Sequence, residues 1–357
     1  MPDSFDLAIT GAGPAGAAAA LAAARAGWRV ALVERARFPR HKVCGDCLNP
    51  SVWPVLEELG TAGAIRALDH APLHQVRFVD HQGRTMELPL PPGAERAVTR
   101  ASLDDVMLQA ALAAGVTLFP GAPLTGLQRQ DQHWHLTTAA ATLTARTLIA
   151  ADGRNSTTCH LLGIAPAVRP GRVALQCHAP LTASYQGTVA LELMPHGYCG
   201  VAPVDASRMN LCLVSDPARL ASARQAAHRR FGLPDHQIWH SIAPLQRPDL
   251  PPAPFPGCYL AGDAARVVEP FTGEGIYYAL RSGQLAAAAA GAWLAGDPFP
   301  SYHLAHRGLY RHRLWVNRLA RIAVTHRPLG SLLLGLGRSF PGLMRHLTAK
   351  VTAPAAL

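Results

Sequence analysis

The chain has 357 residues, 49% of them hydrophobic and 16% charged, with a formal net charge of +10. That composition suits one large globular domain or two intimate ones and excludes a disordered or collagen-like chain. No run of about 18 purely apolar residues stands out, so no spanning helix is expected.

Met1-Pro2-Asp3-Ser4-Phe5-Asp6 leads straight into a strand, without the basic and apolar stretches of a secretory leader, so a cytoplasmic location is expected. The 7 Cys are irregularly spaced, as free thiols in a reducing compartment would be. Cys44 and Cys47 form a lone C-x-x-C, and the 17 His show no H-E-x-x-H spacing, so no metal site is expected.

Asp6 to Thr10 reads as a short buried strand, Gly11-Ala12-Gly13-Pro14-Ala15-Gly16 as a glycine turn, and Ala17 to Ala26 as a helix of very small residues. Gly27 ends the helix, Arg29 to Val33 forms a second strand, and Glu34 closes it, followed by Arg35. Each part suits a dinucleotide. Gly11 permits the tight turn, Gly13 lets backbone approach a pyrophosphate, and Gly16 permits close packing. The helix N-terminus offers N–H groups to phosphate, and Glu34 offers a carboxylate to ribose hydroxyls.

Residues 71–99 read as a hairpin, with strands Gln75 to Val79 and Thr85 to Leu88 about the turn His81-Gln82-Gly83-Arg84. Ser102 is expected to cap a helix that has Asp104 and Asp105 in its first turn. Further strands are expected at Thr188 to Leu193 and Met209 to Val214, forming an antiparallel sheet over the cofactor.

Three more segments choose between cofactors. Ala150-Ala151-Asp152-Gly153-Arg154-Asn155-Ser156 follows a strand, as does Tyr259-Leu260-Ala261-Gly262-Asp263-Ala264-Ala265. Pro270-Phe271-Thr272-Gly273-Glu274-Gly275-Ile276 leads into a helix. Together with the glycine turn they resemble the para-hydroxybenzoate-hydroxylase-type flavoproteins, and specifically the geranylgeranyl-reductase-like branch, over about residues 5 to 290.

The resemblance implies an α/β fold: a Rossmann-type FAD-binding domain, an inserted antiparallel β-sheet substrate domain and C-terminal helices. The expected divisions are 1–70, 100–170 and 255–298 for the FAD-binding domain, 71–99 and 171–254 for the substrate domain, and 299–357 for a basic helical tail. It implies that FAD meets Gly11, Gly13, Ala15, Gly16, Glu34, Arg35, Arg100, Asp152, Gly262 and Asp263. Pro270, Gly273, Gly275 and Ile276 would form the loop against its ring, where a helix N-terminus stabilises the reduced, anionic flavin.

Phe38-Pro39-Arg40-His41-Lys42-Val43-Cys44-Gly45-Asp46-Cys47-Leu48 resembles the reductase branch's P-R-x-K-x-C-G stretch. The resemblance puts Cys44 near flavin and substrate, as proton donor or as pocket wall. Arg40 and Lys42 beside it in sequence would lower its thiol pKa. A Cys44–Cys47 dithiol is not the family's pattern. Gly197-Tyr198-Cys199-Gly200-Val201-Ala202-Pro203 keeps Tyr198 and Pro203 of a pocket motif but lacks its Trp, which argues against a tryptophan-type halogenase.

There is no second G-x-G-x-x-G after a strand. NAD(P)H is therefore expected as a transient electron donor, unless another protein supplies electrons. The expected activity is reduction of a C=C bond in a hydrophobic isoprenoid- or polyketide-like substrate. The alternatives are a monooxygenase acting on an aromatic or polyene substrate and a non-catalytic flavin-binding protein.

After Asp297 there is no acidic residue, while Arg307, Arg311, Arg313, Arg318, Arg321, Arg327, Arg338, Arg345 and Lys350 accumulate. Leu309, Val316, Leu319, Ala320 and Ala323 share one helical face, opposite Arg307, Arg311 and Arg318. This tail reads either as a helical cap on the FAD domain or as a peripheral contact with an anionic membrane. A nucleic-acid partner is not expected.

Overall fold

The computed structural model describes residues 3–90, 95–167, 171–268, 273–297 and 301–311, together with 335 and 342. The chain opens with β1 (Asp3–Thr10), α1 (Pro14–Arg25), β2 (Val30–Glu34), β3 (Cys47–Leu48), α2 (Val52–Glu58), α3 (Ala62–Arg66), β4 (Ala71–Leu73), β5 (Gln75–Val79), β6 (Thr85–Pro89) and β7 (Glu95–Ala97). It continues with α4 (Arg100–Ala113), β8 (Thr117–Pro120), β9 (Leu124–Gln130), β10 (His133–Thr138), β11 (Thr142–Ala150) and α5 (Thr157–Leu161). Then come β12 (Val173–Pro180), β13 (Thr188–Met194), β14 (Gly197–Pro203), β15 (Arg208–Ser215), α6 (Leu220–Phe231), β16 (His240–Ile242), β17 (Cys258–Leu260), α7 (Gly275–Leu294) and α8 (Tyr302–Tyr310).

The first sheet has the order β8-β2-β1-β11-β10-β9, with β17 pairing on β11. β8, β2, β1, β11 and β17 are mutually parallel. Every residue of β2 is buried, as expected for a parallel strand covered on both faces. The alanines of α1 let α7 approach to backbone contact: a Cβ on Gly283 would lie 2.2 Å from the Ala15 carbonyl oxygen. The main core is this α1–α7 layer with β1, β2 and α4.

The second sheet has the order β16-β12-β15-β14-β13-β5-β6. The β5–β6 hairpin joins it by parallel pairing with β13. One face packs Ala190, Cys199, Val201, Leu211 and Leu213 against Ala223 and Ala227 of α6. The other face carries Gln176, His178, Tyr198, Gly200, Asn210 and Cys212, and meets the 41–47 segment of the first domain. A small third sheet, β3-β7-β4, lies between the two parts in the chain.

The helix near Ser102 is capped by Thr99 instead. Thr99 Oγ1 accepts the Ser102 N–H at 3.3 Å, so the helix begins earlier and Asp104 falls inside it rather than in its first turn. Of the tail, α8 is described: Tyr302, His306, Leu309 and Tyr310 are buried, while Arg307 and Arg311 are exposed. Tyr302 Oη donates to the Leu260 carbonyl at 2.7 Å, and Tyr310 stacks on Tyr278 at 4.6 Å. This stretch therefore caps the first domain. The expected helical faces beyond 311 lie outside the described residues. Among the described residues no helix is long and apolar enough to cross a membrane.

Candidate functional site

The glycine turn lies where β1 ends. Gly11 has φ +89, and a Cβ there would sit 2.6 Å from the Ala151 oxygen, so only glycine fits without strain. A Cβ on Gly16 would meet the Gly11 carbonyl oxygen at 1.8 Å, so Gly16 lets the helix close onto its own turn. Ala15 faces inward: a Cβ on Gly262 would be 3.0 Å from the Ala15 Cβ, and Gly283 packs on the Ala15 backbone. Ala15 thus serves the fit of α1 to its neighbours. In front of the turn there is space, since the one atom near a Cβ on Gly13 is an Arg40 guanidinium nitrogen 3.7 Å away. No side chain caps α1.

Glu34 is buried at the end of β2. Its carboxylate accepts the Ala12 N–H at 2.7 Å and the Ala36 N–H at 2.9 Å, which ties strand end to turn. Arg35 is exposed. The cation over the turn is Arg40, with Nη1 3.1 Å from Asp104 and Nε 3.9 Å from Glu34. Arg100 makes paired bonds to Asp104 at 2.8 and 2.7 Å, so one buried carboxylate holds two guanidinium groups. Lys42 Nζ lies 3.9 Å from where a Cβ on Gly153 would be. Burial, then Arg100, Arg40 and Arg35, pull the Lys42 ammonium below its ordinary value, with Asp263 opposing. A buried cation crowded by other cations is relieved by an anion, as a diphosphate would be.

Asp152 lies beside Gly11, but its carboxylate turns away from the turn. It accepts from Ser156 Oγ at 2.5 Å and from the Thr158 N–H at 2.9 Å, pinning its own loop onto α5. Gly262 donates its N–H to Ser282 Oγ at 2.8 Å. Asp263 is half-exposed, 3.3 Å from Arg154 Nη2, and is the anion nearest the Lys42 group. Among the described residues, Cβ atoms on Gly273 and Gly275 would meet nothing within 4 Å, and no side chain caps α7. Ile276 is buried just behind them. Pro270 lies outside the described residues.

These features form one line: an open glycine turn, a surplus of cations, the Asp263 carboxylate, and an open glycine floor at a helix N-terminus. They fit FAD. Glu34 and the turn would hold the adenosine end, Arg40 and Lys42 the diphosphate, Asp263 the polyol, and the Gly273–Gly275 backbone the ring.

Cys44 is half-buried, facing the second sheet. Its N–H donates to Gln176 Oε1 at 3.2 Å, and its carbonyl accepts from Asn210 Nδ2 at 2.9 Å. Gln176 pairs across the ladder with Cys212, and His178 with Asn210, so Cys44 sits over that corner of the sheet. Burial pushes the Cys44 thiol above its ordinary value, while Arg100 and the Asp46 N–H stabilise the thiolate. This corrects the expectation of a lowered pKa: the cation that touches Cys44 is Arg100, reached from α4, and burial outweighs it. The thiol is protonated at neutral pH. None of the seven cysteines is joined in a disulfide, Cys44 and Cys47 included.

Tyr198 is buried on the flavin-side face, packed with Leu193 and Val214. Pro203 pairs with Met209, whose side chain lies in the cluster beneath α6, so the pleat turns it to the other face. On the face that meets residues 41–47, Val76, Phe78, Val189, Leu191, Gly200 and Cys212 are half-exposed. Leu191 and Cys212 pack in one cluster with Val43 and Tyr198, and Val76 and Val189 pack against Leu73, Leu90 and Ala97, so this apolar strip runs past the Cys44 segment. Lys42, Asp46, Gln176, His178 and Asn210 were not singled out as site residues from the sequence. The only local hint was the polar Gln176/His178 alternation on β12. Among the described residues no cluster of three His, Cys, Asp or Glu side chains is arranged to hold a metal ion.

Residues 4–193 match the FAD binding domain family. The chain is 30% identical to a menaquinone reductase of Mycolicibacterium smegmatis, covering 80% of this chain and 76% of that protein. It is 27% identical to a geranylgeranyl diphosphate reductase of Rhodobacter capsulatus, covering 89% and 83%. Its fold superposes on PqsL of P. aeruginosa, in complex with 2-aminobenzoylacetate, with a TM-score of 0.77 at 20% identity, covering 92% of this chain and 98% of that one.

Proposed function

The chain belongs to the FAD binding domain family and is an FAD-dependent oxidoreductase, and from that premise we propose that it reduces a C=C bond in an isoprenoid-like chain. The observation that carries this reading is the half-exposed apolar strip beside the half-buried Cys44, whose thiol is held above its ordinary value by burial. Such a strip takes an extended hydrocarbon, and the thiol is a proton donor within its reach. Menaquinone and geranylgeranyl diphosphate, the compounds in the two relatives' names, both contain an isoprenoid chain.

When bound, reduced FAD supplies the hydride equivalent for one alkene carbon. Cys44 Sγ gives its proton to the other carbon, so the product gains two hydrogens. The thiolate left behind is held by the Asp46 N–H and the Arg100 guanidinium. Arg100 stays in place because Asp104 grips it with both oxygens. The electron donor we propose is a reduced nicotinamide nucleotide that binds transiently, in keeping with the single glycine turn in the sequence.

The test is anaerobic. FAD-loaded protein is reduced, mixed with geranylgeranyl diphosphate or menaquinone, and the product is weighed by mass spectrometry. A gain of two hydrogens that survives air reoxidation of any quinol, and so lies in the isoprenoid chain, supports the proposal. Product formed only with O₂, and carrying one oxygen atom from it, refutes it. Loss of the flavin's visible absorbance on mixing with NADPH or NADH tests the donor. The arginine-rich sequence after Asp297 also suits an anionic bilayer that carries such a substrate, and sedimentation with phosphatidylglycerol vesicles tests that contact.

A further inference from the structure

A histidine–carboxylate pair sits at the seam between the two sheets, and the reaction as derived so far leaves it unused. Asp46 has φ +55, an uncommon backbone state for a residue with a side chain. Its carboxylate accepts His178 Nε2 at 2.9 Å, Gln176 Nε2 at 3.1 Å and the Arg100 N–H at 3.2 Å. The pair has one dry end and one wet end: the Asp46 side chain is 2% exposed and the His178 side chain 17%. Outward of His178 lie His41, with ring centroids 6.2 Å apart, and His240, stacked on His41 at 4.7 Å. Both outer histidines are exposed. Partial burial, then the neighbouring His240 and His178, hold His41 below its ordinary value, with Asp46 opposing. The three rings lead from solvent to the Asp46 carboxylate, and histidine is the side chain suited to relaying protons near neutral pH.

The inner end meets Cys44. The Asp46 N–H stabilises the Cys44 sulfur, and Gln176 bridges the two residues, accepting the Cys44 N–H and donating to Asp46. A thiol that has given up its proton must regain one before the next turnover, and the exposed rings connect to its segment through Asp46 and Gln176.

We propose that His178 and Asp46 are the positioning residues of a proton-return path, which carries protons from solvent at His41 and His240 to the Cys44 thiolate after each reduction. The proton passes from His178 Nε2 to an Asp46 carboxylate oxygen, and from Asp46 across their shared turn to Sγ. No electrons move, and His178 is recharged from the outer rings. This rests on the reading of Cys44 as the proton donor.

The experiment separates the first turnover from those that follow. FAD-loaded enzyme is reduced anaerobically and mixed with geranylgeranyl diphosphate or menaquinone. Steady-state turnover is then driven by excess reduced methyl viologen. His178→Gln keeps a donor to Asp46 but cannot carry a proton onward. It should give a wild-type first turnover and a steady-state rate lowered at least about tenfold. His178→Ala should be slowed alike and restored by added imidazole, a response that a purely structural role would not give. An unchanged steady-state rate, a first turnover slowed as much as the later ones, or no response to imidazole would each overturn the path. Two outcomes separate it from the function proposed above. If Cys44→Ala retains full turnover, Cys44 is not the donor, and the path falls with it. If wild-type enzyme reduces neither compound, the reductase reading itself fails.

Discussion

Around the glycine turn, position is fixed by backbone. Gly11, Gly16 and Gly283 are held by contacts of main chain on main chain, and the residues of β1, α1 and β2 are near neighbours in sequence. Around Cys44, position is fixed by side chains from far along the chain: His178 reaches Asp46 across 132 residues, and Asn210 reaches Cys44 across 166. The first arrangement makes a site of fixed shape for a cofactor that does not vary. The second makes a surface whose polar corner and apolar strip change with single residues.

Four substitutions sharpen that contrast or break it. Cys44→Ala should cost at least about 100-fold in turnover while FAD stays bound; release of the flavin would mean that Cys44 belongs to the cofactor site. Gly16→Ala should lower stability by about 3 kcal/mol through overpacking against the Gly11 carbonyl, with FAD lost. A wild-type urea midpoint for that variant would show that the turn adapts.

Glu34→Ala leaves the Ala12 and Ala36 N–H groups unpaired and removes a ribose acceptor. Its FAD affinity should fall by roughly 2 kcal/mol, or some thirtyfold, in a fluorescence titration. The smallest effect belongs to the second sheet. Burial opposes ionisation of Asp205, but the Ser207 N–H, the Arg208 side chain and the Arg208 N–H hold its carboxyl at about 2. A depressed carboxyl contributes stability above its unfolded value of about 3.9, and that contribution is lost as pH falls from there through about 2. Asp205→Ala should therefore cost roughly 1–2 kcal/mol at pH 7, less at pH 3, and leave FAD affinity unchanged.

The glycine turn and the strands and helix around it were legible because their requirements are local. Glycines at 11, 13 and 16, an acid at 34 and glycines at 273 and 275 each answer to a backbone need that a linear sequence displays. Where reading failed, tertiary contact decided. Arg35 follows Glu34 directly, yet Arg40 swings over the turn because Asp104 on α4 holds it. Asp152 looks like a cofactor ligand by position, but Ser156 and Thr158 take its oxygens. Thr99 caps α4 in place of Ser102 by a choice of backbone angle that the sequence leaves open. The Asp46–His178 pair was invisible because neither residue has its partner nearby in sequence. Pro203 shows the reverse error: it lies five residues from Tyr198, and an odd separation along a strand puts two side chains on opposite faces.

The order in which the first sheet is completed bears on how the protein is made. β17 and α7 belong to that sheet and its covering layer, yet they follow every strand of the second sheet in the chain. During synthesis the glycine turn leaves the ribosome early, and the floor formed by Gly273 and Gly275 leaves it late. With FAD held as proposed, its capture would wait for this late segment. A ribosome stalled near residue 255 would present a substrate surface and half a cofactor cleft, an assembly open to quality control before it can carry out any redox chemistry.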